Sequence, residues 1–162
     1  MNTKNRIYLS LGSNLVNKFE NLENALNKLQ MHFLIDKISS IYETPPWGVE
    51  DQPSFYNQCI GAFTDKKPHE VIQITQNIEK DIGKKTLYKW GPRQIDIDLL
   101  LYNDLIVDDS HLKVPHPNMH ERAFVLIPLS DIACDEIHPI LNLSVGKLSE
   151  KYNDVSFKIV KS

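Results

Sequence analysis

Cysteine is scarce: the 162 residues hold two, Cys59 and Cys134, far apart in sequence and each in apolar surroundings. A disulfide framework is therefore excluded. With no charged-then-apolar segment at the start of the sequence, both are expected to be reduced core thiols in a cytoplasmic protein. Long apolar runs are missing as well. None exceeds five residues, against the roughly 20 that a membrane-spanning helix requires, so no membrane span is expected. Charge of one sign is also lacking: 18 Lys and Arg face 21 Asp and Glu, a net charge of −3 with no extended basic run. That balance argues against a general nucleic-acid coat or a binder of anionic membranes, both of which need dense positive charge. Any anion site must be local. No G-x-x-x-x-G-K-[ST], no G-x-G-x-x-G and no nucleophile elbow occurs, which excludes a P-loop, a Rossmann turn and an α/β-hydrolase serine. What the chain does have is 41% hydrophobic residues and enough length to bury about 70% of its unfolded surface, sufficient for a core without staples. Without repeats, low-complexity stretches or linkers, residues 1–162 read as one domain.

Residues 6–11 alternate and stop at Gly12-Ser13-Asn14, a strand running into a turn where Gly would tolerate positive φ. Asn17 with Glu20 fits a capped helix start, and Phe19, Leu22, Leu26 and Leu29 form one apolar stripe ending near His32. Residues 34–43 have strand composition, and Thr44-Pro45-Pro46-Trp47-Gly48 opens a polar loop to Pro53. Residues 54–63 resume strand character, with Phe55, Asn57, Cys59 and Gly61 on one face and Tyr56, Ile60 and Ala62 on the other. A second helix starts at Pro68, buries Val71, Thr75, Ile78 and Ile82, and stops at Gly83. A basic loop, 84–94, leads into a strand over 95–102, with Ile95, Ile97, Leu99 and Leu101 directed at the core. The order βαββαβ predicts an α+β, ferredoxin-like fold: an antiparallel sheet with both helices on one face and the other face left for function. A short strand at 105–107, a helix over 121–133 interrupted or kinked at Pro128, and an edge strand at 155–160 complete the expectation.

The chemistry concentrates around 90–98. Asp96 and Asp98 lie two apart on a strand, so both carboxylates leave one face with Cα atoms about 6.6 Å apart. Such a pair suits a hard divalent cation, Mg²⁺ above all, which also takes phosphate oxygens; alone, it fits a solvated sheet face equally well. Beside it stand Trp90-Gly91-Pro92-Arg93 with Lys84, Lys85 and Lys89, cations that suit a polyphosphate. Pro115-His116-Pro117 and Arg122 could close the other side of the anion. His116 and His120 have the spacing of helical zinc ligands, but Pro115 and Pro117 oppose a helix there and no third ligand follows. His32, His69, His111 and His138 stand alone.

Taken together, Thr44-Pro45-Pro46-Trp47-Gly48, Asp51-Gln52-Pro53 with Phe55 and Asn57, Gln76 and Glu79, Trp90-Gly91-Pro92-Arg93-Gln94-Ile95-Asp96-Ile97-Asp98, and Val114-Pro115-His116 to Arg122 resemble the 6-hydroxymethyl-7,8-dihydropterin pyrophosphokinases, from Ile7 to about Ile132. The resemblance implies transfer of the β,γ-diphosphate of ATP to the pterin's hydroxymethyl group, releasing AMP, in folate biosynthesis. It also implies a monomer whose partners are small molecules rather than nucleic acid or membrane. Asp96 and Asp98 are then the ligands of two Mg²⁺ ions, with Arg93 catalytic beside them. Phe55 and Phe124 stack on the pterin, while Asn57 and the backbone of Thr44, Pro45, Pro46 and Trp47 meet its amino-pyrimidinone edge. ATP falls to Gln76, Glu79, Lys84, Lys85, Trp90, Arg93, Leu99, Lys113, His116, Pro117 and Arg122. Where the family commonly has Gly-Arg-x-Arg, this chain has Gly83-Lys84-Lys85-Thr86, which supplies charge without Arg's planar fork. Phe55 stands where Tyr is frequent.

Two other classes compete for the same residues. A two-metal phosphohydrolase could use the D-x-D pair, and would yield free phosphate instead of AMP. A ferredoxin-like RNA-binding module would present aromatic residues on its open sheet face, but the chain has no RNP-like stretch and is acidic.

Overall fold

The computed structural model describes residues 5–15, 17–46, 51–83 and 94–162. The chain runs β1 (Asn5–Ser13), α1 (Lys18–Leu29), β2 (Leu34–Ile38), β3 (Ile41–Thr44), β4 (Phe55–Thr64), α2 (Pro68–Ile82) and β5 (Asp96–Tyr102). It continues through β6 (Val107–Asp108), β7 (Lys113–Val114), α3 (Ala123–Ala133), α4 (Val145–Ser149) and β8 (Lys158–Lys161). The main sheet is antiparallel in the order β5-β1-β4-β3-β8, with β2 pairing the far half of β4. The expected α+β topology is present, and its two innermost strands carry the alternation that builds it. In β1, Ile7, Leu9 and Leu11 join Ile60, Ala62, Ile97 and Leu99 beneath α1 and α2 in one core, whereas Tyr8 faces the other side with Cys59.

That other side is only partly open. Val125, Leu126 and Leu129 of α3 pack there against Tyr8, Cys59, Leu100 and Leu101, with Val145 and Leu148 of α4 behind them. The surface on which an RNA-binding module would stack bases is thus partly covered by a helix, and Asp96, Gly12 and Asn57 share that face without joining this second apolar core. A contact with β3 ties down α3: the Tyr42 hydroxyl donates to Asp131 Oδ2 at 2.7 Å. Burial and that carboxylate push the tyrosine's pKa up to about 12.

Several sequence expectations change. Gly12 and Ser13 belong to β1 rather than to a turn, paired with Asn57 and Tyr56. Asn17 takes a left-handed conformation (φ 68°) with no side-chain capping bond, because N-capping requires extended backbone there. The 34–43 segment is two strands: Ser39 breaks it, its Oγ accepting from Cys59 N at 2.9 Å in place of a continuous ladder. Leu101 does not point beneath α1 and α2, since a bulge opposite Tyr8 and Leu9 leaves Leu100 as an extra residue and turns both leucines toward α3. The short strand falls at Val107–Asp108, and α3 begins at Ala123 and runs through Pro128. Proline there forfeits one bond in the helix's first turns. The edge strand starts at Lys158, and α4 has no counterpart in the sequence reading. Cys59 is buried as expected and its thiol is pushed far up by desolvation, but Cys134 is exposed just past the end of α3. Helix α2 keeps its expected limits: Pro68 in its first turn, Glu70 Oε1 accepting from Lys67 N at 3.0 Å, and Gly83 at φ 95°.

Candidate active site

The first feature is a row across the sheet. Gly12 sits between Asp96 on β5 and Asn57 on β4, and one step along Ser10 sits between Asp98 and Cys59. Directly opposed residues of antiparallel strands share a face, so both aspartates, Ser10, Gly12 and Asn57 lie on one surface. Ile97 between the acids is buried on the reverse. The Asp98 side chain is 42% exposed and so is open to water. Two oxygen-donor carboxylates on one strand match the way Mg²⁺ is held, by one or two carboxylates with the remaining positions left to water and substrate phosphates. Among the described residues no group of three or more His, Cys, Asp or Glu forms a closed metal site.

β5 is an outer strand, and its free edge faces α2. A cleft of about 200 Å³ opens between them, lined by Thr75, Gln76, Glu79, Asp98, Leu99, Lys113 and His116. Five residues expected at ATP (Gln76, Glu79, Leu99, Lys113 and His116) are therefore brought together beside an acid of the pair. Gln76 is exposed at the mouth, whereas Glu79 is buried and its Oε2 accepts from Ile97 N at 2.8 Å. Three residues apart on α2, one faces the cleft opening and the other closes the strand edge. Lys113 pairs with Asp108 across the β6–β7 hairpin at 3.2 Å.

His116 follows the cis Val114–Pro115 bond, and its backbone N donates to Leu100 O at 2.9 Å. Its Nδ1 accepts from Asn118 N at 3.2 Å, which places the neutral ring's proton on Nε2, 4.0 Å from Asp98 Oδ2. Burial lowers the pKa of His116, Asp98 opposes that, and Arg122 adds to it. Pro117 is exposed beside this ring. Arg122 is outside the cleft lining: it precedes α3 with its guanidinium 5.6 Å from the Phe124 ring.

The pterin set falls at the end of the sheet that carries Asp96, Gly12 and Asn57. Phe55 begins β4 on Asn57's face, and Phe124 lies half-buried in the first turn of α3, the helix packed on that same face. Asn57 is buried, and its Nδ2 donates to Thr44 Oγ1 at 2.6 Å, so the end of β3 sets the amide's orientation. Pro45 and Pro46 follow directly. Trp47, Lys84, Lys85, Trp90 and Arg93 lie outside the described residues.

Three features escaped sequence reasoning. Asn14 Nδ2 donates to Gln52 Oε1 at 2.7 Å and to Pro53 O at 3.2 Å, anchoring the residues that lead into β4. Lys18 Nζ donates to Ser54 O at 3.0 Å, and Ser54 Oγ to Glu43 Oε2 at 2.9 Å. Gly12, which its sequence neighbours place in a turn, stands in β1 between an acid and an amide. A larger cavity of about 300 Å³ lies away from the acids, between α1, β2 and β3 and lined chiefly by Phe19, Leu22, Leu26, Ile38 and Ile41; it lacks the paired carboxylates.

A profile of the 7,8-dihydro-6-hydroxymethylpterin-pyrophosphokinase (HPPK) family matches residues 8–134. The chain is 42% identical over 134 residues to a 2-amino-4-hydroxy-6-hydroxymethyldihydropteridine pyrophosphokinase of Aquifex aeolicus, covering 83% of this chain and 84% of that protein. It is 43% identical over 144 residues to a folic acid synthesis protein of Dictyostelium discoideum, covering 89% of this chain but only 22% of that longer protein. Among solved structures, wild-type Plasmodium falciparum HPPK-DHPS superposes with a TM-score of 0.73 at 18% identity, over 91% of this chain and 44% of that one, a likeness of fold. Sharing this much sequence over most of its length, the chain belongs to the 7,8-dihydro-6-hydroxymethylpterin-pyrophosphokinase family.

Proposed function

We propose that the chain transfers the β,γ-diphosphate of ATP to the hydroxymethyl oxygen of 6-hydroxymethyl-7,8-dihydropterin, giving AMP and the pterin diphosphate for folate synthesis. The observation that carries this reading is the double position of the acids on β5: Asp98 lines the cleft against α2, and Asp96 flanks the Gly12–Asn57 floor. A triphosphate entering from the cleft and a flat heterocycle on the floor would meet at the strand between them. Phe55 and Phe124 stack on the heterocycle, and Asn57, held by Thr44, offers an amide to its amino-pyrimidinone edge. Gln76, Glu79, Leu99, Lys113 and His116, which line the cleft, are read as the nucleotide's contacts, and the family resemblance adds Pro117, Arg122, Trp90, Arg93, Lys84 and Lys85 to that set. Asp96 and Asp98 would hold Mg²⁺, two ions in this reading, and the metal supplies neutralisation of the transferred charge when bound. The protein's share is positioning: the acceptor oxygen and the β-phosphorus are brought into line, with little covalent chemistry left for side chains. The chain is read as a cytoplasmic monomer, one domain acting on small molecules and not on nucleic acid.

The test is product analysis with Mg²⁺, ATP and 6-hydroxymethyl-7,8-dihydropterin. AMP and pterin diphosphate in equal amounts are expected. Orthophosphate without AMP would point to the phosphohydrolase reading and overturn this one.

A further inference from the structure

Gly12 lies in regular β-strand, paired on both sides, where glycine is ordinarily a disadvantage because it adds no packing and costs conformational entropy. Its φ is not positive, so the backbone does not require glycine. Space does. A Cβ built at Gly12 would stand 2.7 Å from Asn57 Oδ1 and 3.6 Å from Phe55 Cδ1. The first distance is one that real Cβ atoms essentially never show. The amide cannot swing aside cheaply, because its nitrogen is tied to Thr44 Oγ1 at 2.6 Å and the residue is 8% exposed.

We infer that Gly12 is a positioning residue for substrate selection: its missing side chain lets the Asn57 carboxamide lie flat over β1, with Oδ1 presented to the heterocycle's edge and Phe55 beside it. This deepens the pyrophosphokinase reading and rests on it. Any side chain at 12 pushes the oxygen off that plane. The loss falls on the pterin and not on the nucleotide, whose cleft opens on the far edge of β5 and does not include Gly12. A hydrogen-bonding pocket misaligned in this way loses discrimination steeply, since buried polar groups are left unmatched.

The experiment is a double-mutant cycle on Gly12→Ala and Asn57→Ala, reading binding of 6-hydroxymethylpterin by its fluorescence and of α,β-methylene-ATP with Mg²⁺ by calorimetry. Gly12→Ala is expected to weaken pterin binding about tenfold or more and raise the pterin KM in step, with the nucleotide Kd within about twofold of wild type. In the Asn57→Ala background the same change is expected to cost less than about twofold, because the obstructed oxygen is gone. Should Gly12→Ala alone fail to fold while the double variant folds, the clash is likewise assigned to Asn57. Equal losses in both backgrounds, no loss in either, or a double variant that also fails to fold would overturn the inference. Absence of pterin binding by the wild-type protein would instead overturn the functional reading, and this inference with it.

Discussion

Removal of the Glu79 carboxylate separates two roles that the fold combines in one side chain. The residue lines the cleft proposed for the nucleotide, and its Oε2 is already engaged, accepting from Ile97 N at 2.8 Å on the edge of β5 away from β1. Ile97 is 4% exposed and Glu79 is 7% exposed, so in Glu79→Ala the N–H loses its acceptor in a site that excludes most water. An orphaned buried donor costs about 1–3 kcal/mol, so a loss of about 2 kcal/mol is expected. In a chain of this size that corresponds to a fall in Tm of about 4–8 °C. Glu79→Gln keeps an acceptor oxygen and should lose about 1 kcal/mol or less. Because Ile97 lies between Asp96 and Asp98, loosening this edge displaces both acids, and turnover should fall in Glu79→Ala by more than the lost nucleotide contact explains. Urea unfolding gives the stability difference, and AMP release with saturating ATP gives the turnover. A Glu79→Ala protein within about 0.5 kcal/mol of wild type would show that Ile97 N finds another partner and would refute the edge-closing role.

Asp98→Ala is expected to cut AMP release by about 10³-fold or more, equivalent to about 4 kcal/mol of transition-state stabilisation, with Tm unchanged because the side chain is 42% exposed; near-normal turnover would remove it from the catalytic pair. Leu126→Ala, which truncates a fully buried side chain of α3 against the sheet, should cost about 2–5 kcal/mol in chemical denaturation, and a cost under about 1 kcal/mol would mean that α3 is not docked as described. His138 is buried, and its Nδ1 accepts from Ile140 N and Leu141 N, both at 3.2 Å; desolvation, aided by nearby His120, lowers its pKa. The folded state therefore resists a proton that the unfolded chain takes up, so this contribution to stability is present above about pH 6.5 and is lost as the pH falls below it. His138→Asn should flatten the decline of urea midpoints between pH 7.5 and 5.5, and an identical slope would contradict the assignment.

Local rules carried part of the fold and failed at identifiable places. Pro68 and Gly83 fix the ends of α2, because one cannot extend a helix backward and the other takes the left-handed conformation that stops it. The spacing of Asp96 and Asp98 placed both on one face, since strand periodicity holds there. Two residues past Asp98 it no longer does: the Leu100 bulge reverses the alternation, and nothing local in a run of leucines marks where that happens. Cys134 looked apolar from its neighbours, but it sits at the end of α3 with its side exposed.

The sequence by itself determined the alternating strands, the two helices beneath them and the acidic strand, because these follow from periodicity and end signals over a few residues. Its motif pattern also pointed to the family. Only tertiary structure decided that α3 packs on the second sheet face, that Glu79 joins a strand edge to the cleft beside Asp98, and that a side chain at position 12 would meet the Asn57 amide. Each of these depends on residues distant in sequence meeting in space, 18 positions apart for Glu79 and Ile97 and 89 for Tyr42 and Asp131, and the register that brings them together is set by packing of the whole chain, which no local pattern encodes.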